Sequence, residues 1–272
     1  MSPPEPSPAD AAELKQCCAT LYESEAARWL LGESFHPGGV RLTERLGVRL
    51  RLDERSRVLD VAAGRGTSAL HLGERFGCQV IGVDLSVHNV LEARRAATAR
   101  GLADRVHFEA ADAERLPFAD ATFDAVVCEC AFCTFPDKRA AAREFARVLR
   151  IGGHAGLSDL TRRGPLPEGL TGLLAWIACI ADALPEQAYQ QYLTQAGLTT
   201  EPPEPHDEAL GQLVRGVEGR LLAAELTAAL ARAMPASIDL TAAKSLAREA
   251  REAIARRLLG YCLFVATREA GG

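Results

Sequence analysis

Over the first 160 residues, short apolar runs alternate with stripes at helical spacing. Val58, Leu59 and Val61 form a run between polar flanks, the pattern of a parallel strand buried on both faces. Similar runs recur at Val80 to Val83, Val106 to Ala110, Phe123 to Glu129 and His154 to Asp159. Between them lie helical stripes. Leu70, Leu72 and Phe76 are followed by the stop signal Gly77, and Val87, Val90 and Leu91 follow the N-cap candidate Ser86 and end near Gly101. Ala141, Phe145 and Val148 precede the Gly152-Gly153 stop. Strand and helix in strict alternation predict an α/β fold, a doubly wound sheet with helices on both faces.

Outside this repeat the pattern changes. Ala11 to Leu31 has Leu14, Cys17, Cys18, Leu21 and Tyr22 at helical spacing and is expected to cap a ligand site. The loop Gly32 to Gly39 breaks it, and Val40 to Leu50 resumes as a helix. Leu170 to Leu184 is apolar nearly all round and predicts a core or lid helix, at fifteen residues short for a bilayer. Tyr189 to Thr199 reads as a helix leading into a sixth strand, 201–208 as a polar linker, and Leu210 to Arg257 as helices broken near Pro235. Tyr261 to Ala266 suits the last strand. The expected organisation is a tail at 1–10, a helical cap at 11–50, a core at 51–204 with a lid at 165–197, a helical insertion at 205–258, and a final strand at 259–272.

With 272 residues the chain can build a full core, and a net charge of −5 provides no basic footprint for nucleic acid. The start, MSPPEPSPAD, has neither a positive nor an apolar signal region, and no run has membrane-spanning length. A cytoplasmic protein with no membrane or nucleic-acid partner is expected, and the C-terminal helices offer a face on which a homodimer could form.

The chemistry concentrates at the strand ends. After Asp60, the small residues Ala62, Ala63, Gly64 and Gly66 let the backbone turn sharply and a ligand approach it, with the free N–H groups of the next helix pointing back at the turn. Gly64, Gly66 and Ala69, with Asp84 further on, also satisfy a dinucleotide pattern, so nicotinamide and flavin stand as alternatives. Taken as a series, however, D-V-A-A-G-R-G, V-D-L-S, A-D-A-E-R-L-P-F, F-D-A-V-V and R-V-L-R-I-G-G resemble the motifs of class I S-adenosylmethionine-dependent methyltransferases. That resemblance spans about residues 55 to 160. It implies a Rossmann-like seven-stranded sheet, its last strand antiparallel, with S-adenosylmethionine as cofactor. It further implies that Asp60, Ala63, Gly64 and Gly66 hold the methionine part, Asp84 with Leu85 the ribose, Asp112 and Ala113 the adenine, and Glu129 the pocket edge.

Eight cysteines without an export signal argue for free thiols. Cys128, Cys130 and Cys133 crowd the end of the fourth strand, while Cys78 and Cys262 read as core fillers. A zinc site at C-x-C-x-x-C lacks a second ligand pair. The segment C-E-C-A-F-C-T-F-P-D-K, with W-I-A-C-I-A-D-A-L, resembles arsenite methyltransferases, and by that pattern Cys130 and Cys179 match arsenic-binding cysteines; the family's further cysteine before the first strand is replaced here by Gly32-Glu33-Ser34, which leaves Cys18 or Cys17 to supply a third thiolate by a different route. The acceptor is thus expected to be a metalloid, trivalent arsenic, or a small organic molecule of the quinol or phenol kind, as in the similar quinone C-methyltransferases. An organic acceptor calls for a general base, and His36 is the candidate. A binding module without turnover is the non-enzymatic rival.

Overall fold

The computed structural model describes residues 13, 15–16, 19–20, 22–32, 35–167, 170, 179–227, 235 and 239–270. In chain order these form α1 (Glu25–Leu31), α2 (Gly39–Arg49), β1 (Arg57–Val61), α3 (Thr67–Phe76), β2 (Gln79–Asp84), α4 (Val87–Ala99), β3 (Val106–Ala110) and β4 (Phe123–Glu129). Then follow α5 (Lys138–Val148), β5 (Leu149–Arg162), α6 (Glu186–Gln195), β6 (Leu198–Thr200), β7 (Glu204–Pro205), α7 (Asp207–Leu226), α8 (Leu240–Ala255) and β8 (Leu259–Arg268).

One sheet runs in the order β3-β2-β1-β4-β5-β8-β6, with β7 also paired to β8. The strands from β1 to β5 are mutually parallel where they pair, and β8 enters antiparallel to β5 and β6. The strand order reverses between β1 and β4, and open α/β sheets bind ligands beyond the carboxyl ends of the strands at such a reversal. Asp60 and Glu129 stand there, and Asp84 ends the neighbouring β2.

Local signals explain most boundaries. Ser86 caps α4 by accepting the Asn89 N–H at 2.9 Å, Asp137 caps α5 by accepting that of Ala140 at 2.8 Å, and Gly77 ends α3 at φ 71°. Three expectations change. The predicted helix at 11–31 is interrupted at Ser24, which caps α1 by accepting the Ala27 N–H. The fifth strand covers fourteen residues: pairing with β8 carries its end to Arg162, and its start at Leu149 pairs with Phe123 of β4. The sheet has eight strands and not seven, since Glu204 and Pro205 within the expected linker pair with Leu263 and Cys262. The predicted lid helix lies largely outside the described residues, but its end is a turn, with Cys179 at φ 58°.

Beneath the Gly-rich turn sits one ring. A Cβ built on Gly66 or on Gly82 would come within 2.5 Å of Phe108, and Gly66 also holds φ 82°. The turn is therefore seated on β3 by two missing side chains. Gly66→Ala is expected to cost about 2–3 kcal/mol through strain and overpacking. Phe108→Leu in the same background should recover part of that loss in urea unfolding, and strictly additive effects would contradict the packing account.

Candidate active site

The turn after β1 places its backbone against the end of β2. Ala62 and Gly64 hold φ near 58° and 54°, and the Gly64 N–H donates to Asp84 Oδ2 at 2.8 Å. The other carboxylate oxygen of Asp84 accepts the Ser86 N–H at 2.8 Å. Burial pushes the Asp84 carboxyl up against these donors. Asp60 is 2% exposed, and its Oδ2 has no partner among the described residues. Burial first, and the nearby Glu129 second, hold its carboxyl well above the usual carboxylate range. An orphaned acid of this kind calls for a donor from a ligand. A cationic ammonium group fits it, because pairing would offset the desolvation cost of the charged carboxylate.

Asp60, Ala63, Gly64, Asp84, Leu85 and Glu129 all line one cavity of about 170 Å³. Gly66 does not; it serves the packing on Phe108. Asp112 and Ala113 also lie off this wall. Lys15 covers that end instead, its ammonium 2.7 Å from Asp112 Oδ2 and 2.5 Å from Glu114 Oε2. The same N-terminal segment is strapped to the turn by Glu23, whose carboxylate accepts the Ser86 hydroxyl and whose carbonyl accepts Arg65.

On the acceptor side, Glu129 ends β4 with 3% of its side chain exposed. Its Oε2 accepts the hydroxyls of Thr43 at 2.8 Å and Ser68 at 2.6 Å, and Oε1 accepts Ser158 at 3.2 Å. Tyr261 donates in turn to Ser158 at 2.8 Å. His36 lies against this group, Nε2 3.6 Å from Glu129 Oε2 and Nδ1 3.3 Å from the Pro37 carbonyl, on the wall of the same cavity. Thr43, Ser68, Ser158 and Tyr261 escaped the sequence reading, since single hydroxyls within apolar stripes carry no local signal.

A second cavity of about 670 Å³ opens between α1, α7, α8 and β8, lined by apolar residues such as Ala27, Leu30, Leu213, Val217, Leu246 and Leu259. Tyr22, Phe35 and Cys130 belong to both cavities and form the neck between them. Cys179 lies on the wall of the larger one, so the structure brings together the two cysteines predicted to meet. Its Sγ is 2.7 Å from the Tyr22 hydroxyl and 3.4 Å from the Cys130 carbonyl oxygen. The Cys133 N–H donates to Asp159 Oδ2 at 2.9 Å, and burial pushes that carboxyl up to about 7. Cys78 and Cys262 are buried as expected, their thiols pushed up to about 11 and about 12, first of all by burial. Cys17 and Cys18 lie outside the described residues. Among the described residues, no three His, Cys, Asp or Glu side chains are arranged to hold a metal ion, and no helix is long and apolar enough to cross a membrane.

Residues 58–153 match the family described as a methyltransferase domain. The chain is 37% identical over 145 residues to methyltransferase GfsG of Streptomyces halstedii, covering 53% of this chain and 52% of that protein. It is 33% identical over 191 residues to 27-O-demethylrifamycin SV methyltransferase of Amycolatopsis mediterranei, covering 64% and 70%. The chain thus spans from about half to about two-thirds of the length of these relatives. Its fold is similar to that of the [4+2]-cyclase SpnF, with a TM-score of 0.76 at 24% identity over 100% of both chains. Motifs, strand order and relatives agree, and the chain belongs to the class I S-adenosylmethionine-dependent methyltransferases.

Proposed function

We propose that this chain transfers the methyl group of S-adenosylmethionine to a hydroxyl of a large, mainly apolar organic molecule. The observation that carries this reading is the pair of neighbouring cavities that share Tyr22, Phe35 and Cys130 in their walls. The smaller has acids and backbone amides suited to a charged nucleoside, while the larger has the volume and apolar lining of a site for a bulky molecule.

When bound, the cofactor supplies an electrophilic methyl on a sulfonium. The chain's own part is to orient and to exclude water. Asp60 Oδ2 would accept the methionine ammonium, and Asp84 would offer its remaining lone pairs to the ribose hydroxyls. The apolar cavity holds the acceptor with its hydroxyl at the neck. With Nδ1 turned to the Pro37 carbonyl, His36 takes the hydroxyl proton on Nε2, and the Glu129 carboxylate 3.6 Å from that nitrogen favours the imidazolium that results.

Two observations favour an organic acceptor over trivalent arsenic. The larger cavity far exceeds what a single metalloid oxyanion needs, and the rifamycin relative is named for an O-methylation. A second reading takes support from the full-length likeness to the [4+2]-cyclase: an apolar cavity with its polar groups at one end could also fold a flexible substrate for ring closure.

One assay separates these. The purified chain is supplied with methyl-labelled cofactor and a panel of macrocyclic alcohols, phenols, quinols, linear polyenes, and arsenite with thiols. Labelled product formed one-to-one with S-adenosylhomocysteine from an alcohol is the expected result. Product without S-adenosylhomocysteine would favour cyclisation, and methylated arsenic alone would overturn the proposal.

Two variants probe the assignments. Asp84→Ala removes hydrogen bonds to a charged acceptor, worth about 1.5–3 kcal/mol, and should weaken cofactor binding about 10- to 150-fold by calorimetry. Tight binding of NAD with none of the sulfonium would contradict the assignment. His36→Gln should lower kcat about 100-fold or more while leaving cofactor affinity within twofold. Unchanged turnover would remove His36 from the reaction.

A further inference from the structure

The reaction proposed above leaves the cysteines at the neck without a task. Cys130 and Cys133 sit in the loop that follows β4, and Cys179 reaches them from the turn before α6. Cys179 Sγ is 3.4 Å from the Cys130 carbonyl oxygen, and Cys133 Sγ is 3.9 Å from the Cys179 carbonyl oxygen. Both Cys130 and Cys179 hold positive φ, 54° and 58°. Residues with a Cβ keep that conformation only where the surroundings enforce it, and such strain gathers at functional sites. Cys78, Cys128 and Cys262, by contrast, are buried core residues with ordinary backbone.

The chemical environment of the three thiols is uneven. Hydrogen bonds from Cys130 and then Cys133, with the Tyr22 hydroxyl, hold the Cys179 thiol well below its usual range despite burial. Cys130 and Cys133 are pushed the other way. Of the three, Cys179 is therefore the readiest to ionise and attack, and Cys130 and Cys133 stand beside it. Cys179, though buried, lines the larger cavity together with Cys130, so that cavity is the route by which a small oxidant reaches the pair.

We propose that Cys130 and Cys179 form a thiol–disulfide site at the neck, closed by an oxidant of the peroxide class, and that closing it blocks the acceptor's path to the methyl donor. The Cys179 thiolate attacks one peroxide oxygen and the O–O bond breaks; the departing hydroxide takes a proton and leaves as water. The Cys130 sulfur then attacks the Cys179 sulfur, forming the S–S bond, and the sulfenic oxygen leaves as a second water with the Cys130 proton. Two thiols and one peroxide become a disulfide and two waters. A dithiol reductant reverses the step.

The disulfide itself is independent of the methyl-transfer reading; the block on the acceptor's path rests on it. The full-length reduced chain is treated with stoichiometric hydrogen peroxide, alkylated, digested without reductant and mapped by mass spectrometry. The expected result is one cross-link joining Cys130 to Cys179, lost on dithiothreitol treatment. Cofactor affinity by calorimetry should stay within threefold, and methylation should fall at least tenfold and recover on reduction. Cys179→Ser should keep, after peroxide, the activity it had before. A cross-link through Cys133, oxidation to sulfinic acid without a cross-link, or no oxidation would overturn the site. A Cys130–Cys179 cross-link with unchanged methylation would overturn the block. If the reduced chain methylates nothing in the panel, that counts against the proposed function, and the peptide map still decides the disulfide.

Discussion

Burying the Glu129 carboxylate is the constraint on which the rest of the site depends. An ionised carboxylate taken out of water costs several kcal/mol unless its lone pairs are filled, and here three hydroxyls fill them. Each comes from a different element: Thr43 from α2, Ser68 from α3 and Ser158 from β5, with Tyr261 of β8 behind Ser158. Satisfying one carboxylate thus draws two helices and three strands to a common point at the reversal in strand order. Asp60, two strand positions before the turn, shares this point, and burial first and Glu129 second hold its carboxyl well above the usual carboxylate range. The pair is an asymmetric arrangement of two acids, one satisfied by the protein and one left for a ligand.

The N-terminal segment turns this edge into an enclosed site. Lys15 bridges Asp112 and Glu114 at one end, Glu23 receives Ser86 and Arg65 in the middle, and Tyr22 meets Cys179 at the neck. These contacts are polar and partly buried, whereas the α1, α7 and α8 packing around Leu221, Ala243, Ala247 and Trp29 is apolar.

The parts of this architecture that local chemistry specifies were legible in the sequence. The small residues after β1, the stop at Gly77, the cap at Ser86 and the carboxylates at strand ends each follow from backbone conformation or hydrogen bonding within a few residues. The resemblance in the motif series then named the cofactor. What stayed hidden depends on partners far away in the chain. Two residues of an expected linker become β7 only because β8 offers Leu263 and Cys262, and the end of the fifth strand lengthens to Arg162 for the same reason. Asp112 reads as a ligand contact from its position after β3, yet Lys15 from the opposite end of the core occupies it. Thr43 and Ser68 look like incidental polar residues until Glu129 is placed beside them. The meeting of Cys130 and Cys179 was foreseen, but as a helix facing a strand end rather than two turns with left-handed backbone.

The account's central claim is a division of labour between two cavities that meet at Tyr22, Phe35 and Cys130. The most direct test is a crystal structure of the chain with S-adenosylhomocysteine and an apolar macrocyclic alcohol. The account predicts the nucleoside in the smaller cavity, with its amino group on Asp60 and its ribose on Asp84. It also predicts that the sulfur faces the neck, and that the alcohol lies in the larger cavity with its hydroxyl between that sulfur and His36. A cofactor whose sulfur points toward Lys15, or an alcohol bound with its hydroxyl away from the neck, would contradict it.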